Sequence, residues 1–165
     1  MVKILAIDLG THTGVACNFD LWTPREMTWD LATPKEVTAW GKQRLTRRCD
    51  PRITRFKVFL QALPVSPDLV VFEDVEFSTY TKQTQLWSSF RTVIWVVFGG
   101  RAVIDCVPVT TLKKFATGSG NADKAMMRYA MFKHYPDTDP NLDNNAIDAL
   151  WILKWAEKNL SRLKV

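Results

Sequence analysis

The order of its apolar segments is the feature that most constrains the fold of this chain. Three short strand-like runs come first, at Val2–Ile7, Gly14–Phe19 and Glu26–Leu31, and they predict an opening antiparallel meander. Two further strands are predicted at Asp68–Glu73 and Ala102–Val107. Helices are predicted over Lys35 to about Leu63 (with a break near Cys49-Asp50-Pro51), Gln83–Phe98, Thr111–Ala116, Ala122–His134 and Asn144 to about Leu160. This order predicts an α/β fold, a mixed five-stranded sheet flanked by helices.

Length and composition set the class of protein. The 165 residues suit one domain over 1–165, and 47% hydrophobic with 24% charged residues is typical of a soluble globular chain. No apolar run approaches the roughly 20 residues that span a membrane, and the first residues lack a signal-peptide pattern. The scattered cysteines Cys17, Cys49 and Cys106 favour reduced thiols and a cytoplasmic location. The net charge of +5 permits a nucleic-acid partner but does not require one.

Three carboxylates interrupt or end apolar segments. Asp8 closes the first strand and Glu73 the fourth, whereas Asp148 lies inside the last helix. A single acid at a strand end is usually a turn or cap residue. Asp148 is different, because Ile147 and Ala149 flank it and a buried charge without a partner is costly. We therefore expect Asp148 to face a cleft or to bind a cation.

Strand ends and one helix are able to bring these three carboxylates together. Such a cluster repels itself and is stable mainly with a divalent cation. Oxygen ligands suit Mg²⁺ or Mn²⁺, and the chain has no competing set of His and Cys residues. Asp8, Glu73 and Asp148 are therefore predicted to bind two Mg²⁺ ions, roughly 3.5–4 Å apart, for phosphodiester hydrolysis, with Mn²⁺ as a substitute.

A fourth metal ligand is less clearly defined. Residues three apart on a helix share a face, whereas residues five apart point about 140° away from each other. This places Asn145 beside Asp148, as a metal ligand or as the holder of a water molecule. Asp143 is predicted to be the N-cap of this helix or an acid of its first turn. Whether Asn145 or Asp143 completes the site stays open.

Four motifs in this order resemble those of RuvC-type Holliday junction resolvases. The first is the segment Asp8-Leu9-Gly10-Thr11-His12-Thr13-Gly14-Val15-Ala16, and the second is Glu73 after an apolar strand. The third is a Lys…Gly-x-Gly…Lys segment, and the fourth is Asp148-Ala149-Leu150. In the third motif, which is the most specific, the matching residues are Lys113, Gly118, Gly120 and Lys124.

The resemblance implies an RNase H-like fold, a homodimer and a Mg²⁺-dependent endodeoxyribonuclease that resolves four-way DNA junctions by two symmetric nicks. It places Lys113 near the scissile phosphate and Lys124 on the path of the DNA. Lys114, Gly118 and Gly120 belong to the same predicted phosphate-binding turn. Asn145 stands where many members carry a fourth acid, which leaves a four-acid site in doubt.

Other segments carry weaker predictions. Phe77 and Tyr80 would either wedge into an opened junction or pack on the domain. The segment from Phe77 to Gln83 is similar to phage-encoded relatives, which would place the protein in the host cytoplasm. A dimer interface is predicted for an apolar set on one helix: Trp87, Val93, Ile94, Val97 and Phe98. A basic set in the earlier helical region is predicted to be either a solvated face or a DNA contact: Lys42, Arg44, Arg47, Arg48, Arg52, Arg55 and Lys57. His12 and His134 are interpreted as bystanders.

Three rival functions remain. The Asp8-Leu9-Gly10-Thr11 segment also resembles the phosphate loop of actin-like and sugar-kinase ATPases, but those need a second domain. A non-catalytic module that binds branched DNA is the second rival, with Asn145 marking a decayed site. The third is an RNase H-fold nuclease that acts on RNA. The sequence does not define the cleavage preference or how strictly four-way junctions are required.

Overall fold

The computed structural model describes residues 1–20, 26–47, 49–75 and 81–163. Its elements in chain order are β1 (Ile4–Asp8), β2 (His12–Cys17), β3 (Glu26–Asp30), α1 (Pro34–Lys42), a 3-10 turn (Leu45–Arg47), α2 (Pro51–Gln61), β4 (Leu69–Asp74), α3 (Thr81–Phe98), β5 (Val103–Pro108), α4 (Val109–Thr117), α5 (Lys124–His134) and α6 (Asn144–Lys158).

The five strands form one mixed sheet in the order β3-β2-β1-β4-β5. The first three strands pair antiparallel, and β4 and β5 run parallel to β1. The predicted meander and mixed sheet are therefore confirmed. The predicted helix over Lys35 to Leu63 is two helices, because Asp50 caps a new helix by accepting a hydrogen bond from the Arg52 amide and Pro51 occupies its first turn.

Helices cover both faces of the sheet. Side chains alternate between the faces of each strand, so Ile4, Ala6, Leu69 and Val71 pack with α4, α5 and α6. The alternate residues of β1 and β4 pack with α2 and α3 on the other face. No helix in the described ranges is long and apolar enough to cross a membrane.

The apolar side of α3 is used within the chain itself. Val93, Ile94, Val97 and Phe98 are buried in the core beside α2, and Trp87 donates a hydrogen bond from Nε1 to the Leu9 carbonyl. The prediction that these five residues form a dimer interface is therefore wrong. Periodicity identifies a buried helix face but does not say whether the same chain or another one covers it.

Two arginines of the basic segment serve the fold. Arg52 forms a two-pronged ion pair with Asp50 and also donates a hydrogen bond to the Thr11 hydroxyl. Arg55 pairs with Glu36 and donates a hydrogen bond to the Leu31 carbonyl. These two residues tie α2 to the strand ends and to α1. Arg48 lies outside the described residues.

Candidate active site

Asp8 and Glu73 end two neighbouring parallel strands. Ile7 is paired with Phe72, so the next residue of each strand brings the two carboxyl groups to the same edge of the sheet. Both follow the alternation that faces α6. Asp148 lies on α6, which packs directly against β1 and β2. The fold thus brings together the three acids that the sequence selects.

The pKa values of all three carboxyl groups are raised. The pKa of Asp8 lies well above its ordinary value because of burial, with further contributions from the negative charges of Glu73 and Asp148. Burial and the charge of Asp148 raise the pKa of Glu73 to about 7. Burial is also the main reason that the pKa of Asp148 rises to about 6. The site therefore carries excess negative charge that a cation would relieve.

Lys113 and Lys124 supply part of the compensating charge. Both lower the pKa of Glu73 and of Asp148, and Lys124 also lowers that of Asp8. Lys113 lies on α4 and Lys124 is the first residue of α5, on either side of the turn between these helices. The two lysines that the third motif contains thus lie within electrostatic range of the carboxylates.

A left-handed glycine and several hydrogen bonds hold the turn between the two lysines. Gly118 has a φ of +83°, a left-handed conformation that favours glycine, and its amide donates to the Lys114 carbonyl. The Thr117 hydroxyl donates to the Lys113 carbonyl and accepts from the Ser119 amide. The side chain of Lys114 is exposed, and Gly120 is half-buried within the turn.

Asp143 caps α6, as predicted, and it also belongs to the acidic site. Its Oδ1 accepts hydrogen bonds from the Ala146 amide and from the Thr28 hydroxyl. Its charge raises the pKa of both Asp8 and Asp148. The angular argument that separates Asp143 from Asp148 assumes helical backbone, whereas Asp143 is a cap residue with extended backbone, at φ −74° and ψ 172°.

Asn145 contacts the sheet through its backbone. A Cβ atom added to Gly14 would lie 1.9 Å from the Asn145 carbonyl oxygen, so β2 and α6 are in contact at this point. Only glycine permits the helix to approach the strand so closely. The role of the Asn145 side chain as a metal ligand stays a prediction. Phe77 and Tyr80 lie outside the described residues.

The loop that follows Asp8 is held from several elements. Trp87 of α3 donates to the Leu9 carbonyl, and the Thr13 hydroxyl donates to the Gly10 carbonyl at 2.7 Å. Arg52 of α2 donates to the Thr11 hydroxyl. These contacts fix the end of β1 before any substrate binds, and none is evident from the sequence because the partners are far apart along the chain.

The donor chemistry of the site suits a hard divalent cation. Its three carboxylates offer only oxygen atoms, and their mutual repulsion would be relieved by positive charge. Among the described residues, no three His, Cys, Asp or Glu side chains are grouped as they would be around a bound metal ion. The two-Mg²⁺ site thus stays a prediction.

Both histidines have partners within the chain, and their assignment as bystanders stays a prediction. His12 Nδ1 lies 2.6 Å from Asp30 Oδ1, across the β2–β3 pair. The ring of His134 packs edge-on against Trp151 at a centroid distance of 6.3 Å. Residues 12 and 30 are opposite each other only through strand register, which the sequence alone does not define.

The raised pKa values predict how the stability of the metal-free protein depends on pH. The folded protein holds protons on Glu73 and Asp148 more tightly than the unfolded chain does, so these groups favour folding at low pH. This contribution is lost as pH rises through about 6 and about 7. Urea unfolding in EDTA should show the free energy of unfolding falling between roughly pH 4 and 7, by up to about 3 kcal/mol for Glu73.

The control for this expectation is Glu73→Gln, which keeps the shape of the side chain but no longer titrates. Its free energy of unfolding should depend less on pH than that of the wild type over the same range. A wild-type stability that stays level or rises across this range would show that the fold does not raise the pKa values of Glu73 and Asp148.

Comparison with known proteins identifies the fold. No family model and no curated protein sequence matches the chain. Thermus thermophilus RuvC in complex with a Holliday junction substrate is similar, with a TM-score of 0.65 and 17% identity over 92% of this chain and 90% of that chain. A second Thermus thermophilus RuvC structure has a TM-score of 0.60 at 14% identity, over 95% of this chain and 96% of that chain.

The yeast mitochondrial Holliday junction resolvase Ydc2 is also similar, with a TM-score of 0.55 at 10% identity over 99% of this chain and 80% of that chain. At such identities the likeness defines the fold. The chain has the RNase H-like fold of the RuvC-type resolvases, and the resemblance that the motifs indicate is confirmed at this level.

Proposed function

We propose that this protein is a metal-dependent, structure-selective DNA endonuclease that resolves Holliday junctions or other branched DNA by paired symmetric nicks. One observation carries the proposal. In a RuvC-type fold, Asp8, Glu73 and Asp148 share one electrostatic site with Lys113 and Lys124. Phosphodiester hydrolysis requires carboxylates that hold metal ions and, beside them, positively charged side chains that contact the phosphate.

Each residue has a distinct task in this proposal. Asp8, Glu73 and Asp148, assisted by Asn145, would hold two Mg²⁺ ions, which when bound stabilise charge on the phosphate and activate water. Lys113, whose charge already acts on Glu73, steadies negative charge that develops on the scissile phosphate. Lys124 and the amides of the turn at Gly118 and Gly120 contact the phosphates on either side.

The test is cleavage of a labelled synthetic four-way junction beside a linear duplex of the same sequence, with Mg²⁺, with Mn²⁺ and with EDTA. Paired nicks near the junction, with metal only and absent from the duplex, would support the proposal. Binding without cleavage in both metals would favour the non-catalytic module. Cleavage of an RNA-containing substrate in preference to the junction would favour the RNA-directed nuclease.

A homodimer would give the two symmetric nicks, and α3 offers a surface for it. Trp95 and Val96 are exposed on this helix, on the side that its own core does not cover. Trp95 is 51% exposed and Val96 is 69% exposed, so the two neighbouring residues form a small apolar patch on this side of α3. We propose that a second copy of the chain covers these two residues.

Val96→Glu is expected to weaken dimerisation at least about tenfold, because a carboxylate at the centre of an apolar contact loses its solvation. Sedimentation over a range of protein concentrations measures the dissociation constant. Val58→Glu on α2 is the matched control, since Val58 is 57% exposed and lies on a different helix. Equal effects of both substitutions would exclude the α3 surface as the interface.

A further inference from the structure

His12 and Asp30 form a pair that the acidic site does not use. They are directly opposite each other on β2 and β3, with 2.6 Å between His12 Nδ1 and Asp30 Oδ1. Both side chains are open to solvent, at 47% for His12 and 72% for Asp30. An exposed histidine held by a carboxylate has one ring nitrogen fixed and the other available.

Strand alternation places the pair on the same face of the sheet as the carboxylates. His12 is two residues before Gly14, whose Cα faces Asn145 of α6. Asp30 is two residues after Thr28, whose hydroxyl donates to Asp143 at the start of α6. Side chains two apart on a strand share a face and lie roughly 6.6–6.8 Å apart along it.

The pair also lies beyond the cover of α6. The helix begins over Gly14 and Thr28, so its first turn leaves the next row of the sheet open. Within the described part of the chain, Asp30 is the only hydrogen-bond partner of the His12 ring. With Nδ1 engaged, Nε2 is the atom that a ligand on this face would meet.

The His12–Asp30 pair lies on the opposite side of Asp8 from Lys113 and Lys124. Lys113 and Lys124 belong to α4 and α5, which follow β5 at one side of the sheet. His12 lies on β2, on the other side of β1 and its Asp8. A DNA strand that runs over the carboxylates from α4 towards β3 would therefore contact the lysines on one side of the carboxylates and the His12 ring on the other.

We propose that His12 contacts a DNA phosphate next to the cleavage site, with its ring bridging Asp30 and that phosphate. Nδ1–H donates to Asp30 and Nε2–H donates to the phosphate, so each N–H of the doubly protonated ring has an anionic partner. Asp143, which accepts a hydrogen bond from the Thr28 hydroxyl, is another carboxylate on this side of the sheet. This inference rests on the proposed DNA-directed function.

The first test is the salt dependence of junction binding in EDTA at about pH 6. Loss of one phosphate contact lowers the slope of log K against log salt by about 0.9, so His12→Ala should show this smaller slope and weaker binding. Lys57→Ala is the control, because Lys57 is exposed on α2, on the other face of the sheet. Equal effects of both substitutions would indicate a diffuse charge effect and overturn the inference.

The second test is nitrogen NMR of the histidine rings, whose signals are easy to assign because the chain contains two histidines. Junction DNA should convert the His12 Nε2 signal to that of a protonated ring nitrogen and leave the His134 signals unchanged. Asp30→Asn should weaken this conversion. A wild-type protein that binds junctions without any change at His12 would overturn the inference and leave the proposed function standing; absence of junction binding would overturn both.

Discussion

Asp8→Asn is expected to abolish cleavage, with a loss of at least about a thousandfold, while the protein stays folded and binds junction DNA. The substitution removes one charge from the site and leaves the shape of the side chain. The negative charges of Glu73 and Asp148 both raise the pKa of Asp8, so Asp8 lies within electrostatic range of both and would be one of the groups that hold the metal ions. Loss of metal-based stabilisation of the phosphate costs several kcal/mol, and about 4 kcal/mol corresponds to a factor of a thousand.

Binding should be retained or strengthened in this variant, because one carboxylate that repels DNA phosphates is removed. Single-turnover cleavage with Mg²⁺ and junction binding in EDTA measure the two effects separately. Asp137→Asn is the control for the change in net charge, since Asp137 is exposed and is not one of the three site acids. A folded Asp8→Asn protein that loses binding together with cleavage, or that still cleaves, would contradict the assigned role.

Gly14→Ala is expected to destabilise the fold by about 3 kcal/mol and to abolish cleavage. A Cβ at this position would lie 1.9 Å from the Asn145 carbonyl oxygen and 2.5 Å from its carbonyl carbon. These are backbone atoms of α6, so the helix itself must move. Forcing an atom into a closed contact usually costs 1–3 kcal/mol or more. A displaced α6 would also move Asp148 away from Asp8.

Gly41→Ala provides the matched control. A Cβ at Gly41 would meet no heavy atom within 4 Å, and the residue lies in α1, where alanine is favoured over glycine by about 0.5–1 kcal/mol. Urea unfolding should therefore show the two substitutions changing the free energy of unfolding in opposite directions. A Gly14→Ala protein as stable and active as the wild type would show that α6 does not need this close contact.

The acids of the site were selected by local patterns, and the fold brought the same residues together. Apolar runs ending in Asp8 and Glu73 indicate strands that end at one edge of a sheet, because neighbouring parallel strands share their direction. Asp148, flanked by apolar residues, indicates a helix face turned towards that edge. Helix-cap preferences also identified Asp143 as the first residue before α6.

Other features depend on which helices and strands pack against each other. The same periodicity that identifies the apolar side of α3 led to a wrong dimer interface, because only the tertiary structure determines that β4 and α2 cover Val93 and Ile94. The electrostatic link from Asp143 to Asp8 also depends on cap geometry and on packing against β3, through Thr28. Neither follows from spacing along the chain.

The sequence by itself determined the strands and helices, the mixed sheet and the positions of Asp8 and Glu73 at strand ends, because side-chain alternation and helix caps act over a few residues. The tertiary structure alone decided the close contact of Gly14 with α6, the pairing of His12 with Asp30 and the attachment of Leu9–Thr11 to α2 and α3. These contacts join residues far apart in the chain. Their register is set by the packing of whole elements, which no local pattern encodes.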